Sequence, residues 1–551
     1  MNKGITHLTW RAVILAILGS ILITASSTYV ALRASALPWP TIFVAVLSFA
    51  IMRLFGQRDV NEINVAATGM SAGAMVAGGL VFTLPGLFIS GIWEAGSSSS
   101  TSAGDFIRSR FPIVLLLALA GVLLGTTLCW LFRKRNIEQM ELPYPIGKAA
   151  ASTLKAGASG GKGALILFGS LAVAVVITLL RDQFLLFPSL AVFAIAGIPL
   201  TFSISPMAIG IGSLIGFSST AYWLLGAAIT TLGRFVLLRA ATTRGWSGME
   251  ETLANWNLTI AVALMVGAGT GTLIHFVLGS YKKRTKKSKR SRDTNQASRF
   301  VAPKGIGFFM LILVAVAFVF TILAGLNVIP ALLVMVGVFF AAMMSSIITG
   351  QTGINPMEIF GIIVLLAIRA VLHVSAEHAF YIAAIVAVAC GYAGDMMNDY
   401  KSGAILKTNP SAQFFIELIG GFFGALTASI ALLAIIYSSG GVGAAAGLPA
   451  AQAHSVTAMV SGLGDPVVFA IAAVVGCLLT LLKIPAMVIG IGMMLTGYGM
   501  ALPIFLGGLI QWVSEKRLAE SGRQSIQMGA AGLLGGEGIM GTVLAIIGLF
   551  K

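Results

Sequence analysis

Eight carboxylates stand inside or beside apolar stretches of this chain: Glu62, Glu94, Glu358, Asp395, Asp399, Glu417, Asp465 and Glu537. An ionised carboxylate in a low-dielectric interior is costly unless it takes up a proton, meets a cation or faces water, so acids kept in such places usually handle protons, ions or polar solutes. Glu417 in "FFIELIGGFFG" and Glu537 in "GLLGGEGIMG" are flanked almost entirely by apolar residues and glycine. With Asp399 in "NDYKSG" they are the candidates for proton coupling. Glu94 and Glu358 read more simply as acids at headgroup level or as partners of a base such as Arg369.

A second set of residues is suited to holding a solute. In "QRDVNEINVAATGMSAG", Gln57 to Gly73, charges and amides precede a run of small residues. Asp59 and Glu62 suit the positive end of the helix after them, and Asn61, Glu62 and Asn64 are candidates to line an entrance. Two short Leu-Pro segments, "ELPYPIGKAAASTLKAG" and "GLPAAQAHSVTAMVSG", interrupt the apolar pattern with proline and small residues. Broken helices free backbone groups to bind polar substrate at membrane depth, which nominates Pro143, Tyr144, Pro145, Gly147 and His454.

Enzymatic chemistry finds no comparable support. His373 and His378 are five residues apart and do not share a helical face as a zinc pair must. "GAGTG" follows no strand, no Gly-x-Ser-x-Gly elbow occupies an exposed strand-to-helix turn, and the three cysteines have no metal-like spacing. Neither a cofactor nor a bound metal is expected.

The elements that must position these residues are set by composition. With 57% hydrophobic residues, the chain has more apolar surface than one soluble core can bury. Its apolar runs reach about 20 residues, the length of a membrane-crossing helix. The expected fold is all-α: a polytopic integral membrane protein of about 14–16 transmembrane or reentrant helices. Tyr281 to Arg299 carries nine Lys or Arg against Asp293 alone. Beside a membrane helix such a run marks the cytoplasmic side and anionic lipid headgroups, not nucleic acid.

That run divides the chain into two related halves, 1–280 and 304–551, around a basic linker, 281–303. Five stretches recur in order: Phe55–Asn64 with Thr349–Asn355, Glu141–Gly157 with Gly447–Gly462, "VITLLR" with "LLTLLK", Ser205–Gly216 with Ile484–Gly497, and Val266–Gly271 with Leu534–Gly541. The last pair sets Thr270 opposite Glu537. The first half holds an extra segment, Asp182 to Ile204, long enough for one span. A single unmatched span would invert the remainder of that half, so this one either stops short of crossing or is compensated elsewhere.

These motifs resemble the oligopeptide transporter family, nearest to its Yellow Stripe-like branch. "ELPYPIGKAAA" resembles the family's Leu-Pro-Tyr-Pro segment, "GDMMNDYKSGAILKTNPSAQFFIELIGGFFG" its charged loop and glycine-rich span, and "AAGLLGGEGIMG" its terminal acid between glycines. Carried over position by position, Pro143, Tyr144, Pro145 and Gly147 belong to the first, Asp399, Lys401 and Gly403 to the loop, and Glu537 to the last. Ser402 replaces the usual Thr, and Glu537 the usual Asp. The resemblance implies a secondary active transporter of the bacterial inner membrane, a proton-coupled symporter of short peptides or metal-chelate complexes that works as a single chain or a homodimer. The rival readings are a passive channel and a membrane-embedded enzyme.

Overall fold

The computed structural model describes residues 7–34, 41–56, 59–94, 102–157, 162–195, 198–244, 249–284, 305–352, 355–443, 445–461, 465–494 and 498–548. It is all-α but for one hairpin. The first half contains α1 (Trp10–Ala34), α2 (Thr41–Leu54), α3 (Val60–Val81), the single turn α4 (Gly86–Ile89), α5 (Ala103–Arg133), α6 (Pro145–Gly157), α7 (Lys162–Thr178), α8 (Pro206–Ile215), α9 (Phe217–Arg244) and α10 (Met249–Arg284). The second contains α11 (Ile306–Leu323), α12 (Val328–Thr352), α13 (Met357–Val371), α14 (Ala376–Leu406), α15 (Pro410–Ser438), α16 (Ala451–Ser461), α17 (Pro466–Leu481), α18 (Ala486–Met494), α19 (Tyr498–Arg517) and α20 (Glu520–Gly548). Among the described residues nine helical stretches are long and apolar enough to cross a membrane, and three shorter apolar helices accompany them. Most of the basic linker, from residue 285 to 303, lies outside the described residues; its first residues, Tyr281 to Arg284, belong to the end of α10.

The helices pack as two bundles, each drawing on both halves. In one, α1, α3 and α5 pack with α14 and α15, while α11, α12 and α13 lie around them. In the other, α7, α8, α9 and α10 pack with α17, α18, α19 and α20. Between them, α2 and α6 pack together, and α16 touches α10 on one side and α13 and α14 on the other. The central helix of the first bundle is α14, whose apolar stretch is wholly buried.

A repeat joins the halves: α1, α2, α3, α5 and α6 through α10 correspond to α12, α13, α14, α15 and α16 through α20. Helices α1 and α12 are both 25 residues long. Neighbours match as well, α1 meeting α3 as α12 meets α14, and α7 meeting α20 as α17 meets α10. The two Leu-Pro segments share their backbone. Glu141 and Tyr144 have φ of 50° and 41°, and Gly447 and Ala450 have 68° and 43°. The Tyr144 N–H donates to the Gly350 carbonyl at the end of α12 (2.9 Å), and the Ala450 N–H donates to the Leu32 carbonyl at the end of α1 (3.1 Å). Each half thus caps the other's matching helix.

One expectation changes, and of the two alternatives open for the extra segment the structure takes the one that stops short of crossing. Thr349–Asn355 lies at the end of α12, the equivalent of the end of α1, whereas Phe55–Asn64 joins α2 to α3; that sequence match is fortuitous, and the other four fall on equivalent helices. The extra segment is not a spanning helix. It forms a π-helical turn, Leu179–Gln183, and an antiparallel hairpin of β1 (Leu190–Ile195) and β2 (Ile198–Ser203), which lies against α19. Pro188 and Pro199 interrupt any helix there, and the β-branched and aromatic residues between them favour strand. Among the described residues, apart from the single turn α4, the helix without a counterpart is α11, at the entry to the second half.

Candidate functional site

The opening stretch of α3 is a joint between helices. Asp59 caps α3, its side chain accepting from the Asn61 N–H (2.9 Å). Glu62 accepts a hydrogen bond from the Thr9 hydroxyl. The Thr408 hydroxyl donates to Asn61 (2.9 Å), while Asn64 donates to Thr408 (3.2 Å) and accepts from the Ser402 hydroxyl (2.9 Å). Asn64 is buried, and these amides fasten α3 to the end of α14 and the turn that follows it. The segment expected to be a charged loop is helical: Asp399, Lys401 and Gly403 occupy the last turns of α14.

Deeper along α14, acids gather in the core of the first bundle. Asp399 accepts from the Ser71 hydroxyl (2.8 Å), and its own carbonyl accepts from Gln413 (2.7 Å). Asp395 accepts from Asn355 (2.6 Å), which is itself held by Ser345 and the Cys390 carbonyl; the second Asp395 oxygen has no partner among the described residues. Glu417 is the extreme case. It is 0% exposed, and neither oxygen has a hydrogen-bond partner among the described residues. The Tyr400 hydroxyl is its nearest donor, placed for a loose hydrogen bond outside strict geometry, while the Tyr392 hydroxyl and the Asp399 carboxylate stand in its surroundings. The glycines after Glu417 explain how it gets there: a Cβ on Gly420 would lie 2.0 Å from the Gly69 carbonyl, so α15 can touch α3 only without one.

Glu537 occupies a different setting. Gly536 faces the backbone of α7 at Leu171, and Gly538 faces Ser26 of α1. The glycines flanking the acid therefore bring α20 against both helices at once. The carboxylate meets Arg181 (Nη1 to Oε1, 3.0 Å), the Ser205 hydroxyl (2.8 Å) and the Met207 N–H in the first turn of α8 (2.9 Å), with Arg33 Nη1 at 3.7 Å. Arg181 holds Asp182 through Nε and Nη2, both at 2.6 Å, and donates to the Ile204 carbonyl at 2.7 Å. The lone acid expected from its apolar flanks is thus the centre of an ionic knot that also caps α8. Thr270, its sequence counterpart, is exposed and donates to the Gly267 carbonyl of its own helix. The two positions do not share an environment.

The remaining candidates divide. Tyr144 is fully buried and donates to the Ser346 carbonyl (2.7 Å). The Gly147 N–H donates to Asn398 (3.1 Å), and a Cβ there would lie 2.3 Å from the Asn398 carbonyl. Pro143 and Pro145 are exposed, and His454 is half-buried in α16. Lys401 donates to the Leu142 carbonyl (2.9 Å), tying the end of α14 to the Leu-Pro segment. Arg369 does not pair with Glu358; it donates to the Val460 carbonyl at the end of α16 (2.9 Å). Asp465 caps α17. Sequence reasoning missed Arg33, Arg181, Asp182 and Ser205, although a charge pair directly after the apolar "VITLL" was visible.

Two comparisons bear on this architecture. The profile of the OPT oligopeptide transporter protein family matches residues 7–547. A Haemophilus influenzae protein named "Putative oligopeptide transporter" is 23% identical over 591 residues, covering 92% of this chain and 90% of that protein. A multi-pass helical chain with broken helices in matching places of both halves, and a match that runs from its first described residue almost to its last, belongs to the OPT oligopeptide transporter family and is a transporter, not an enzyme.

Proposed function

We propose that the chain is a proton-coupled symporter that takes up short peptides across a bacterial inner membrane. The Leu-Pro-Tyr-Pro segment favours the Yellow Stripe-like branch and makes metal complexes of small amino-acid-like chelators the other cargo class. The observation that carries proton coupling is Glu417, an acid with no partner for either oxygen among the described residues and no exposure. A site of this kind tolerates the neutral, protonated carboxyl far better than the anion. Asp399, within repelling distance and bonded to Ser71, is the second member of the relay. Glu537, the third candidate, is fixed between Arg181 and the amino end of α8 at the junction of the bundles.

The test is uptake into proteoliposomes of tri- to pentapeptides and of iron, nickel and copper chelates, with and without an imposed proton gradient. Coupled transport predicts accumulation that collapses when an uncoupler is added. Flux that only equalises concentrations, insensitive to the gradient, would replace the symporter with a passive channel.

A further inference from the structure

We propose that Arg33 receives a carboxylate of the transported molecule; this deepens the transporter reading and rests on it. Two arginines stand around one acid, and they differ in how far their donors are used. Arg181 is saturated, its three nitrogens making four short hydrogen bonds, and its side chain is 0% exposed. Arg33 engages one nitrogen only: Nη1 donates to the Tyr29 hydroxyl oxygen and lies 3.7 Å from Glu537. Among the described residues its Nε and Nη2 have no acceptor, and the side chain is 19% exposed. A planar guanidinium whose two parallel donors meet no acceptor among the described residues is the group best shaped to take a carboxylate in a bidentate pair.

Position supports the same reading. Arg33 closes α1, directly after Leu32, whose carbonyl receives the Ala450 N–H where α16 begins. The end of α7 and the start of α8 meet at the same knot through Arg181 and Met207. Interrupted helix ends from both halves therefore converge on Arg33, at the seam where α1 of one bundle touches α20 of the other. Transporters bind their substrates at seams of this kind. Structure alone gives Arg33 little else to do: the knot keeps Arg181, Ser205 and Met207 on Glu537 without it. Among the described residues its charge is held at the seam by the Tyr29 phenol and one distant acid.

A peptide and a metal chelate both offer carboxylates, so the probes separate them: tetraalanine, tetraalanine with a C-terminal amide, and the iron(III) complex of citrate. Binding is measured by titration on purified full-length protein, and uptake in proteoliposomes. Wild-type protein is expected to bind tetraalanine on the order of 30-fold more tightly than its amide, the usual weight of a hydrogen-bonded charge. Arg33→Gln is expected to bind acid and amide equally weakly while keeping its thermal midpoint, and Arg33→Lys to recover part of the preference. If citrate–iron binds and tetraalanine does not, loss of chelate binding in Arg33→Gln supports the proposal with the cargo reassigned, and retained binding overturns it. Wild-type uptake of acid and amide alike leaves the transporter standing and overturns the role of Arg33, as does an Arg33→Gln loss of equal size for both peptides. Uptake of none of the probes removes both readings.

Discussion

Replacing Arg181 with Met removes the only charged group among the described residues in hydrogen-bond contact with Glu537, and the size of the effect depends on the partners that remain. Glu537 keeps the Ser205 hydroxyl and the Met207 N–H, both neutral, and Arg33 at 3.7 Å. Asp182 also loses its partner, but its side chain is 27% exposed and can hydrate. Breaking a buried pair by removing one member costs about 3–5 kcal/mol, and the two surviving donors place this case near 3. For a cooperative unit of roughly 250 residues, with an unfolding entropy of about 2.1 cal/mol/K per residue, that lowers the thermal midpoint by about 6 °C. The double variant Arg181→Met with Glu537→Met removes the fully buried carboxylate together with its cation, while Asp182 hydrates and Arg33 keeps the Tyr29 hydroxyl. Like the single variant it strands the Ile204 carbonyl, and it further leaves the Ser205 and Met207 donors unsatisfied at about 1 kcal/mol each, so it should melt above the single variant. Arg33→Met should cost under about 1 kcal/mol, as a partly exposed pair does. Midpoints measured by intrinsic fluorescence in detergent would rank the variants. An Arg181→Met protein as stable as Arg33→Met, or a double variant no better than the single, would refute the account of the knot.

The same geometry sets further outcomes. Glu417→Gln should fold and bind substrate, since the amide is isosteric and its oxygen still accepts from the Tyr400 hydroxyl, yet lose gradient-driven accumulation while counterflow exchange persists; proteoliposome uptake decides, and wild-type accumulation would shift the proton role to Asp399. Tyr144→Phe loses one hydrogen bond to the Ser346 carbonyl and should cost about 1 kcal/mol of stability with KM unchanged; a raised KM with intact stability would return Tyr144 to the substrate path. Gly147→Val drives a side chain into the Asn398 carbonyl and should prevent α6 from seating on α14, seen as loss of monodisperse protein on size-exclusion chromatography. Replacing the basic residues from Lys282 to Arg292 with Ser should alter insertion or lipid dependence and leave substrate affinity nearly unchanged in correctly inserted protein.

The class of fold was legible because apolar runs of about 20 residues admit little besides membrane helices. The Leu-Pro pair was legible because proline and small residues break the pattern at matching places, and the shared left-handed residues show the same backbone beneath unlike sequences. The hairpin was not legible, since short apolar runs read alike as strand or buried helix. The Ile-Asn match misled because two amides with one neighbour in common were doing different work: Asn64 fastens α3 to the α14–α15 turn, and Asn355 holds Asp395. Glu537 showed its isolation in sequence but not its partners. Arg33 and Arg181 stand at the ends of apolar runs, where basic residues ordinarily mark the water interface, and only the folding of α1 and α7 against α20 brings them to the acid.

The reciprocal bonds between Tyr144 and Gly350 and between Ala450 and Leu32 have a bearing on biosynthesis. A chain made from its amino end inserts α1 and the first Leu-Pro segment long before their acceptors and donors exist. Gly350 follows Tyr144 by roughly 200 residues, which at about 5–20 residues per second is a wait of roughly 10–40 s. Through that interval the nascent first half carries open backbone groups and a glycine-lined face of α3 that awaits α15. It is a client for the insertion machinery, and the two halves should reach native structure only together, whether supplied as one polypeptide or as two fragments made in the same cell.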